Sequence, residues 1–475
     1  MSFQSFSFLA FLAVTVAVSL LAGRKSAAAG KLCLLLASVV FYVAGADLNG
    51  LVVLAVGMAV TALAVDYLLP EREPRARKRA LWLACGWHIA VLLMFKYTGF
   101  FTGGAVTIGW SPLGLSFFTF QQLWLLKEVY TGQFLLANGQ DAPLYALFFP
   151  IVTSGPILRP GAFFPQLRGE KFLRPDAQDI AAGLYAICCG TVKKVLLADP
   201  LGGIANNGWN ALGDLTAVDA WMVILAYTLQ LYLDFSGYCD IAAGCARLLG
   251  LRLPVNFDSP YRSLSVTEFW KRWHMTLTTF LRECLYFPLG GSRKGAGRTY
   301  LNILIVFLVS GFWHGAGWTF ILWGGLHGLA QIVERLWGKG RERLPKILRW
   351  ATTFLFVNLA WVFFRAPSLA AAGELLSATV TGGGGLMLDA LAVGVLESEV
   401  NAIQTLLPML SAGVPGLMLV ALLAIGMVVV LWPKTVLRRM EEFRPRLVHA
   451  VMFGVLLVWA VLSFSGVATF IYSNF

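Results

Sequence analysis

The chain has 475 residues, of which 58% are hydrophobic and only 13% are charged. A soluble domain of this length needs about a quarter of its residues charged to cover its surface. The composition therefore excludes a soluble globular protein and indicates an integral membrane protein in contact with the lipid bilayer. The net charge of +12 is concentrated in short basic loops between apolar segments, where Lys and Arg set topology, so we predict no nucleic-acid partner.

Apolar segments long enough to span a membrane recur along the chain. A helix needs roughly 20 apolar residues to cross the hydrocarbon core. In chain order, the candidate spans are 5–23, 32–46, 49–69, 80–96, 181–198, 217–235, 301–313, 316–334, 349–365, 414–432 and 447–469. The first span has no Lys or Arg ahead of it, which favours a retained helix over a cleaved signal peptide. Gly and Pro interrupt the apolar tract 99–165, which predicts re-entrant, tilted or interfacial helices around a cavity.

The basic loops also predict the orientation. Lys and Arg crowd four segments, 24–31, 71–79, 335–349 and 434–446. The intervening loops 46–50 and 366–413 contain neither residue. The positive-inside rule then places both termini outside the cytoplasm. We expect residues 1–475 to form one all-α, polytopic membrane domain of about 11 or more transmembrane segments.

The most polar part of the chain is 230–298. Asp234 and Asp240 stand where an apolar span is expected to end, near residue 235, and such carboxylates are costly at membrane depth unless they are paired or face a cavity. Alternatively, Ser236 or Asp240 caps the next helix. A turn-rich loop that contains Asn256 follows at 254–262.

Residues 264–288 predict a helix that lies in the membrane interface. On a helical period Trp270, Trp273 and Leu277 share one face, whereas Lys271 and Arg272 lie elsewhere. The two cations would attract either the phosphates of a nucleotide such as coenzyme A or lipid head groups.

The sharpest feature is His314, in the run Phe-Trp-His-Gly-Ala-Gly-Trp between two apolar spans. An ionisable side chain inside a membrane is a candidate for function, and imidazole suits proton transfer near neutral pH. A hydrogen-bonded core histidine is the alternative. His274 is open between structure and function, and His88, His327 and His449 are expected to be core or interfacial residues.

Metal and disulfide chemistry are not indicated. The sequence contains no HExxH, no CxxC pair and no cluster with ligand spacing, so no metal site is predicted. The seven cysteines lie mostly in apolar stretches, and we expect them to be buried apolar side chains rather than disulfides.

Eight short motifs occur in order along the chain. They are Ser116-Phe-Phe-Thr-Phe-Gln-Gln, Thr153-Ser-Gly-Pro-Ile-Leu-Arg-Pro, Asp234-Phe-Ser-Gly-Tyr-Cys-Asp-Ile-Ala, Asn256-Phe-Asp-Ser-Pro-Tyr, Thr267-Glu-Phe-Trp-Lys-Arg-Trp-His, Leu285-Tyr-Phe-Pro-Leu-Gly-Gly, Trp313-His-Gly-Ala and Phe470-Ile-Tyr-Ser-Asn-Phe. Together they resemble the membrane-bound O-acyltransferase family, and more narrowly its alginate O-acetylase branch, which also includes peptidoglycan and cellulose acetylation proteins. Seven lie within a core at 110–335, and trailing helices at 345–475 end in the Phe-x-Tyr-x-x-Phe motif. Departures at Glu283-Cys284 and Ser473-Asn474 leave the polymer open.

The resemblance implies a helical ring in a bacterial inner membrane, with a tunnel that joins both faces through His314. It implies that His314 is the catalytic histidine and His274 a second family histidine. Tyr472 would carry the acyl group, as is proposed for a similar motif on a small separate protein of teichoic-acid D-alanylation. On residue type alone Tyr472 would be an ordinary interfacial tyrosine. Candidate substrate-binding residues are Asp234, Asn256, Trp270, Lys271, Arg272 and Trp313.

The resemblance also implies the substrates. Acetyl-CoA would be the cytoplasmic donor, with no cofactor bound permanently, and a polysaccharide would be the final acceptor. A periplasmic acetyltransferase partner with a serine nucleophile would complete the transfer. Three alternatives stay open: a transporter or exporter with His314 and Asp234 as proton relay groups, an acyltransferase that acts on a lysophospholipid or protein, and a scaffold of an export complex.

Overall fold

The computed structural model describes residues 3–69, 72–133, 141–383, 386–408, 413–466 and 471, and every regular element within them is helical. The first four helices are α1 (Phe6–Lys25), α2 (Ala27–Gly45), α3 (Leu48–Leu68) and α4 (Pro74–Phe101). Ser26 makes the tight turn between the first two. Its amide bonds to the Ala22 carbonyl at the end of α1, and its side chain accepts from the Ala29 amide at the start of α2, because helix ends leave backbone groups that need partners.

The interrupted tract 99–165 forms short helices, as predicted. It contains α5 (Leu115–Tyr130), α6 (Asp141–Leu147) and α7 (Pro160–Phe163). A long unit follows, in which α8 (Ala177–Val192) runs through a π-helical turn (Lys193–Ala198) into α9 (Asp199–Asn210), and α10 (Ala217–Leu248) packs along it.

The remaining chain builds the site and the trailing helices. These are α11 (Val266–Arg272), α12 (Met275–Leu281), a second π-helical turn (Arg282–Tyr286), α13 (Ala296–His314), α14 (Trp318–Trp337), α15 (Lys346–Arg365), α16 (Leu369–Thr381), α17 (Leu388–Leu391), α18 (Glu397–Leu406), α19 (Val414–Val430), α20 (Val436–Glu442) and α21 (Leu447–Leu462). Short 3₁₀ turns lie at Gln166–Arg168, Leu212–Asp214, Pro260–Arg262, Gly338–Arg343 and Ser463–Gly466.

Eight helical stretches among the described residues are long and apolar enough to cross a membrane: α1 to α4, the continuous α8–α9 unit, α10, α13 and α15. Each of the eleven predicted spans overlaps a helix, although residues 467–469 of the last span lie outside the described residues. Of these helices, α14, α19 and α21 fall outside this group of eight. Apolar side chains are exposed along α21, from Leu447 (81%) to Leu462 (75%), which suits contact with lipid. The protein is therefore a multi-pass helical membrane protein.

Glycines bring two helix pairs into backbone contact next to the candidate site. A Cβ atom on Gly183 would lie 2.9 Å from the Gly244 carbonyl oxygen, and one on Gly190 would lie 2.5 Å from the Gly237 carbonyl oxygen. Only glycine therefore lets α8 and α10 approach so closely. The α13–α14 hairpin uses the same device, since a Cβ on Gly311 would collide with the Phe320 carbonyl.

Two expectations from the sequence are wrong. The predicted span 217–235 does not end there, because α10 continues to Leu248, so Ser236 and Asp240 are interior helix residues rather than caps. Residues 264–288 do not form one interfacial helix either. The chain breaks at His274, whose backbone is left-handed (φ 43°, ψ 54°), and the Trp270, Trp273 and Leu277 side chains are buried in the protein.

Candidate active site

His314 is the last residue of α13, and the turn 315–317 joins it to α14. The residue is 1% exposed. Three aromatic rings surround its imidazole, with centroid distances of 4.7 Å to Trp313, 5.2 Å to Trp323 and 5.1 Å to Phe364. Because water is excluded from this aromatic shell, charges and dipoles within it interact more strongly than they would in solvent.

Two side chains of α4 cap the end of α13. The Lys96 ammonium donates to the backbone carbonyls of Trp313 (2.5 Å) and His314 (3.3 Å), and the Tyr97 hydroxyl donates to the Phe312 carbonyl (2.5 Å). These carbonyls have no partner inside the helix, and a cation there also complements the helix dipole. The contacts fix the backbone from which His314 projects. Sequence analysis missed Lys96, although a lysine in an apolar span was a usable signal.

His274 lies in the turn between α11 and α12 and is fully buried. The Oδ1 atom of Asn256 accepts from the Thr276 backbone amide (3.2 Å) and hydroxyl (2.9 Å), and it lies 3.2 Å from His274 Nδ1. An oxygen at this position can only accept, so Nδ1 carries the proton and the lone pair is on Nε2. Burial lowers the pKa of His274 to about 3, which makes the ring neutral at physiological pH. Asn256, a predicted substrate-binding residue, is thus a hydrogen-bond partner of His274.

Trp313 lies between the two imidazoles. Its ring centroid is 4.7 Å from that of His314 and 6.4 Å from that of His274. The Phe120 ring stacks on the Trp313 indole, with a centroid distance of 4.9 Å. The Phe117 ring packs against both Trp313 and His274. The structure therefore brings the Trp313–His314 pair together with His274 and Asn256, which lie about 40 and 58 residues earlier in the sequence.

The three consecutive residues Trp270, Lys271 and Arg272 of α11 have different surroundings. The Trp270 indole donates to His327 Nδ1 (3.1 Å) inside the core. Arg272 forms an ion pair with Glu268 (2.9 Å) and donates to the Asp258 carbonyl. Lys271 is exposed and lines a cavity, so of the three it is the one placed to meet a solute.

This side cavity, of about 270 Å³, lies between α11, α12, the second π-helical turn, α13 and α14. Lys271, Arg282 and Arg335 line it and are exposed. None of the three cations forms an ion pair with a carboxylate of the described residues. The lining also includes Ser310, which is buried and lies one helical turn before His314. The cavity thus combines a cationic opening with an interior wall next to the histidine.

The remaining polar candidates form buried ion pairs where α8–α9 meets α10. Lys194 bonds to Asp234 (2.7 Å) and Asp199 (2.6 Å), and Lys193 bonds to Asp240 (2.7 Å). Asp234 is therefore paired, which is one of the two conditions that make a carboxylate tolerable at membrane depth.

The C-terminal motif is only partly described. Tyr472, the predicted acyl carrier, lies outside the described residues. Its neighbour Ile471 is described, and the Ile471 amide donates to Asp234 Oδ2 at 2.9 Å. Two further histidines contact their neighbours: His88 bonds to Thr61 (2.9 Å), and His449 packs beside the Phe443 ring.

Comparisons with known proteins place this arrangement in a family. Residues 141–371 match the membrane-bound O-acyltransferase family. The peptidoglycan O-acetyltransferase of Helicobacter pylori is 40% identical over 74% of this chain and 73% of its own length. A protein named probable alginate O-acetylase AlgI from Pseudomonas aeruginosa is 37% identical over 78% of this chain and 72% of its own length. The teichoic acid D-alanyltransferase of Bacillus subtilis is 26% identical over 54% of this chain and 68% of its own length.

The family match covers the helices that hold His274, His314 and the side cavity. The identity and coverage of the two acetylating relatives exceed what a shared fold alone would give. The chain belongs to the membrane-bound O-acyltransferase family, and it is a membrane O-acyltransferase.

Proposed function

We propose that this enzyme moves an acetyl group from a cytoplasmic thioester, acetyl-CoA, across the inner membrane for the O-acetylation of an extracytoplasmic polysaccharide. The names of the relatives that act on peptidoglycan and alginate support the reaction and the polymer class. The observation that carries the proposal is the position of His314, buried in aromatic rings one turn from the wall of a cavity with a cationic opening.

The side cavity suits the donor. Coenzyme A carries several phosphate groups, and Lys271, Arg282 and Arg335 would bind them through charge-assisted hydrogen bonds. The apolar lining, which includes Ile303 and Phe307, would take the uncharged pantetheine arm. A thioester that reached Ser310 would stand one turn from His314.

The transfer step uses His314 as a base and Tyr472 as the nucleophile. A tyrosine hydroxyl has a pKa of about 10 in water, so without a base almost none is ionised near neutral pH. His314 accepts the phenolic proton as the oxygen attacks the thioester carbonyl. The carbon–sulfur bond then breaks, the imidazolium returns the proton to the thiolate, and the products are acetyl-Tyr472 and free coenzyme A.

The second step requires a partner. Within the described residues every element is a helix of one membrane protein, with no separate soluble domain that could hold a polymer. A periplasmic acetyltransferase would attack acetyl-Tyr472 with its serine hydroxyl, releasing the tyrosine with its proton restored. The resulting acyl-serine would then react with a hydroxyl of the polysaccharide.

A label-transfer experiment tests this function. Purified wild-type protein, His314→Ala and Tyr472→Phe are incubated with acetyl-CoA labelled in the acetyl group, and label on the C-terminal peptide is measured by mass spectrometry. We expect label on Tyr472 of the wild type and none in either variant. Tyr67→Phe, which changes an exposed tyrosine on α3, is the control and should label normally.

The cellular readout separates the alternatives. Polymer acetylation at matched expression should be lost in both His314→Ala and Tyr472→Phe. Normal acetylation in Tyr472→Phe would end the carrier role and leave that of His314 intact. Acetylation that depends on the protein without any label transfer in detergent would instead favour an exporter.

A further inference from the structure

We propose that Asp234 is the positioning residue of the C-terminal segment. In this role its carboxylate holds the backbone of Ile471, the residue that precedes Tyr472, and is itself held by Lys194. The proposal rests on the proposed function of Tyr472 as the acyl carrier. It gives Asp234 a task different from the substrate binding that its motif suggests.

The two carboxylate oxygens of Asp234 have different partners. Oδ2 accepts from the Ile471 amide at 2.9 Å, and Oδ1 accepts from the Lys194 ammonium at 2.7 Å. Asp234 and Lys194 are each only 1% exposed. Because both oxygens are engaged from different directions, the orientation of the carboxylate is fixed, and so is the place where the chain end can attach.

Burial explains why this contact is strong. A buried carboxylate oxygen without a donor is costly, and so is a backbone amide without an acceptor. Lys194 divides its ammonium between Asp234 and Asp199, so a further donor to Asp234 is favourable. The Ile471 amide supplies it, and a hydrogen bond to a charged group is stronger than one between neutral groups.

The helix residue that follows Asp234 contacts one of the two histidines of the candidate site. Phe235, the residue after Asp234, has its ring centroid 4.9 Å from that of His274. Ile471 is partly buried and packs against the main hydrophobic core. The described contacts therefore hold Ile471 at Asp234, and the next residue in the sequence is Tyr472.

The same helix supplies a matched control. Asp240, six residues further along α10, is also buried and forms the equivalent ion pair with Lys193 at 2.7 Å. No contact between Asp240 and the C-terminal segment occurs among the described residues. Changing Asp240 thus removes a buried aspartate–lysine pair and leaves the proposed anchor, the hydrogen bond between Asp234 and the Ile471 amide, in place.

Hydrogen exchange of the full-length protein in detergent tests the anchor directly. Exchange of the C-terminal peptide that contains Ile471 is compared in wild type, Asp234→Ala, Asp234→Asn and Asp240→Ala. We expect roughly tenfold or faster exchange in Asp234→Ala, because the amide loses a charged acceptor. Asp234→Asn retains one acceptor oxygen and should be intermediate, and Asp240→Ala should match wild type. Unchanged exchange in Asp234→Ala, or equal acceleration in Asp240→Ala, would overturn the proposal.

Kinetics separate positioning from substrate binding. Asp234→Ala should lower kcat for label transfer to Tyr472 and leave KM for acetyl-CoA unchanged. A raised KM with an unchanged kcat would instead assign Asp234 to the donor and overturn the proposal. Tyr472→Phe keeps the Ile471 amide, so its exchange should stay slow. If Tyr472→Phe acetylates the polymer normally, the carrier function fails while the exchange data still report on the anchor.

Discussion

The ammonium of Lys96 on α4 lies 2.5 Å from the backbone carbonyl oxygen of Trp313, one residue before His314. A charged side chain thus closes the helix end that carries the candidate catalytic histidine. Lys96→Met keeps much of the side-chain volume and removes the ammonium that donates to the Trp313 and His314 carbonyls. We expect a loss of about 1–3 kcal/mol in stability and a slower label transfer, measured by thermal unfolding in detergent and by acetylation of Tyr472.

Two further variants show whether the effect of Lys96→Met is specific to this lysine. Tyr97→Phe removes one neutral hydroxyl, which donates to the Phe312 carbonyl and lies 3.3 Å from the Trp313 carbonyl, and should have a smaller effect on both measurements. Lys78→Met changes an exposed lysine at the start of the same helix and should change neither. Equal behaviour of Lys96→Met and Lys78→Met would show that the cap is unimportant.

His274 predicts an acid-sensitive stability. Its pKa is about 3 in the folded protein, against an ordinary value of 6.5, because burial disfavours the charged ring. The unfolded state therefore binds a proton more readily. The stability from this group is fully present above pH 6.5 and is lost progressively as the pH falls from about 6.5 towards 3, by up to about 1.4 kcal/mol per pH unit.

A substitution isolates that contribution. In His274→Gln the unfolding temperature should fall less steeply between pH 7 and pH 5 than it does in wild type. His449→Gln, at a partly exposed position, should follow the wild-type curve. Parallel curves for His274→Gln and wild type would contradict the prediction.

The three cations of the side cavity predict a defect in donor affinity. Replacing Lys271, Arg282 and Arg335 together by Ala should raise KM for acetyl-CoA about tenfold to a hundredfold, since each partly exposed charge contributes roughly 0.5–1 kcal/mol. The value of kcat should change little, and added salt should weaken wild-type binding more than that of the triple variant. Arg293→Ala, an exposed cation outside the cavity, is the control. A triple variant with wild-type KM would place the donor elsewhere.

Gly190 predicts a steric limit on helix packing. Gly190→Ala would place a Cβ 2.5 Å from the Gly237 carbonyl oxygen, and overpacking of this kind costs about 1–3 kcal/mol. Gly86→Ala on α4 meets open space and should be neutral or slightly stabilising, because alanine favours helix. Thermal unfolding of the two variants provides the comparison. Similar unfolding temperatures would mean that α8 and α10 adjust easily.

Local signals were sufficient to locate the long apolar helices. Apolar runs located every predicted span, since lipid contact requires an apolar surface wherever a helix meets the bilayer. The end of α10 was misjudged because hydropathy scores Asp234 and Asp240 as isolated charges. Their partners, Lys193 and Lys194, come from the neighbouring unit and neutralise them.

The geometry of the site depends on contacts between residues that are distant in the sequence, which local sequence patterns do not reveal. His314 was identifiable as an ionisable residue between two apolar spans, but Lys96, which caps its helix, is 218 residues away. The break at His274 has a similar origin. A helical period continues through Trp273. The left-handed backbone that ends α11 is held by Asn256, whose Oδ1 accepts from the Thr276 amide and contacts His274, and whose backbone carbonyl accepts from the Met275 amide.

The paired lysines of the first π-helical turn also bear on how the protein enters the membrane. Alone in the bilayer, a segment with Lys193 and Lys194 would be penalised by about 2.5–3.5 kcal/mol for each charge near its centre. Lys194 has one partner, Asp199, within its own unit, but Asp234 and Asp240 lie on α10, the next long helix of the chain. We expect the α8–α9 unit to become stable in the bilayer only after α10 has been synthesised. The two would then insert together as a helical hairpin, and the ion pairs between them would form early in the biogenesis of the protein.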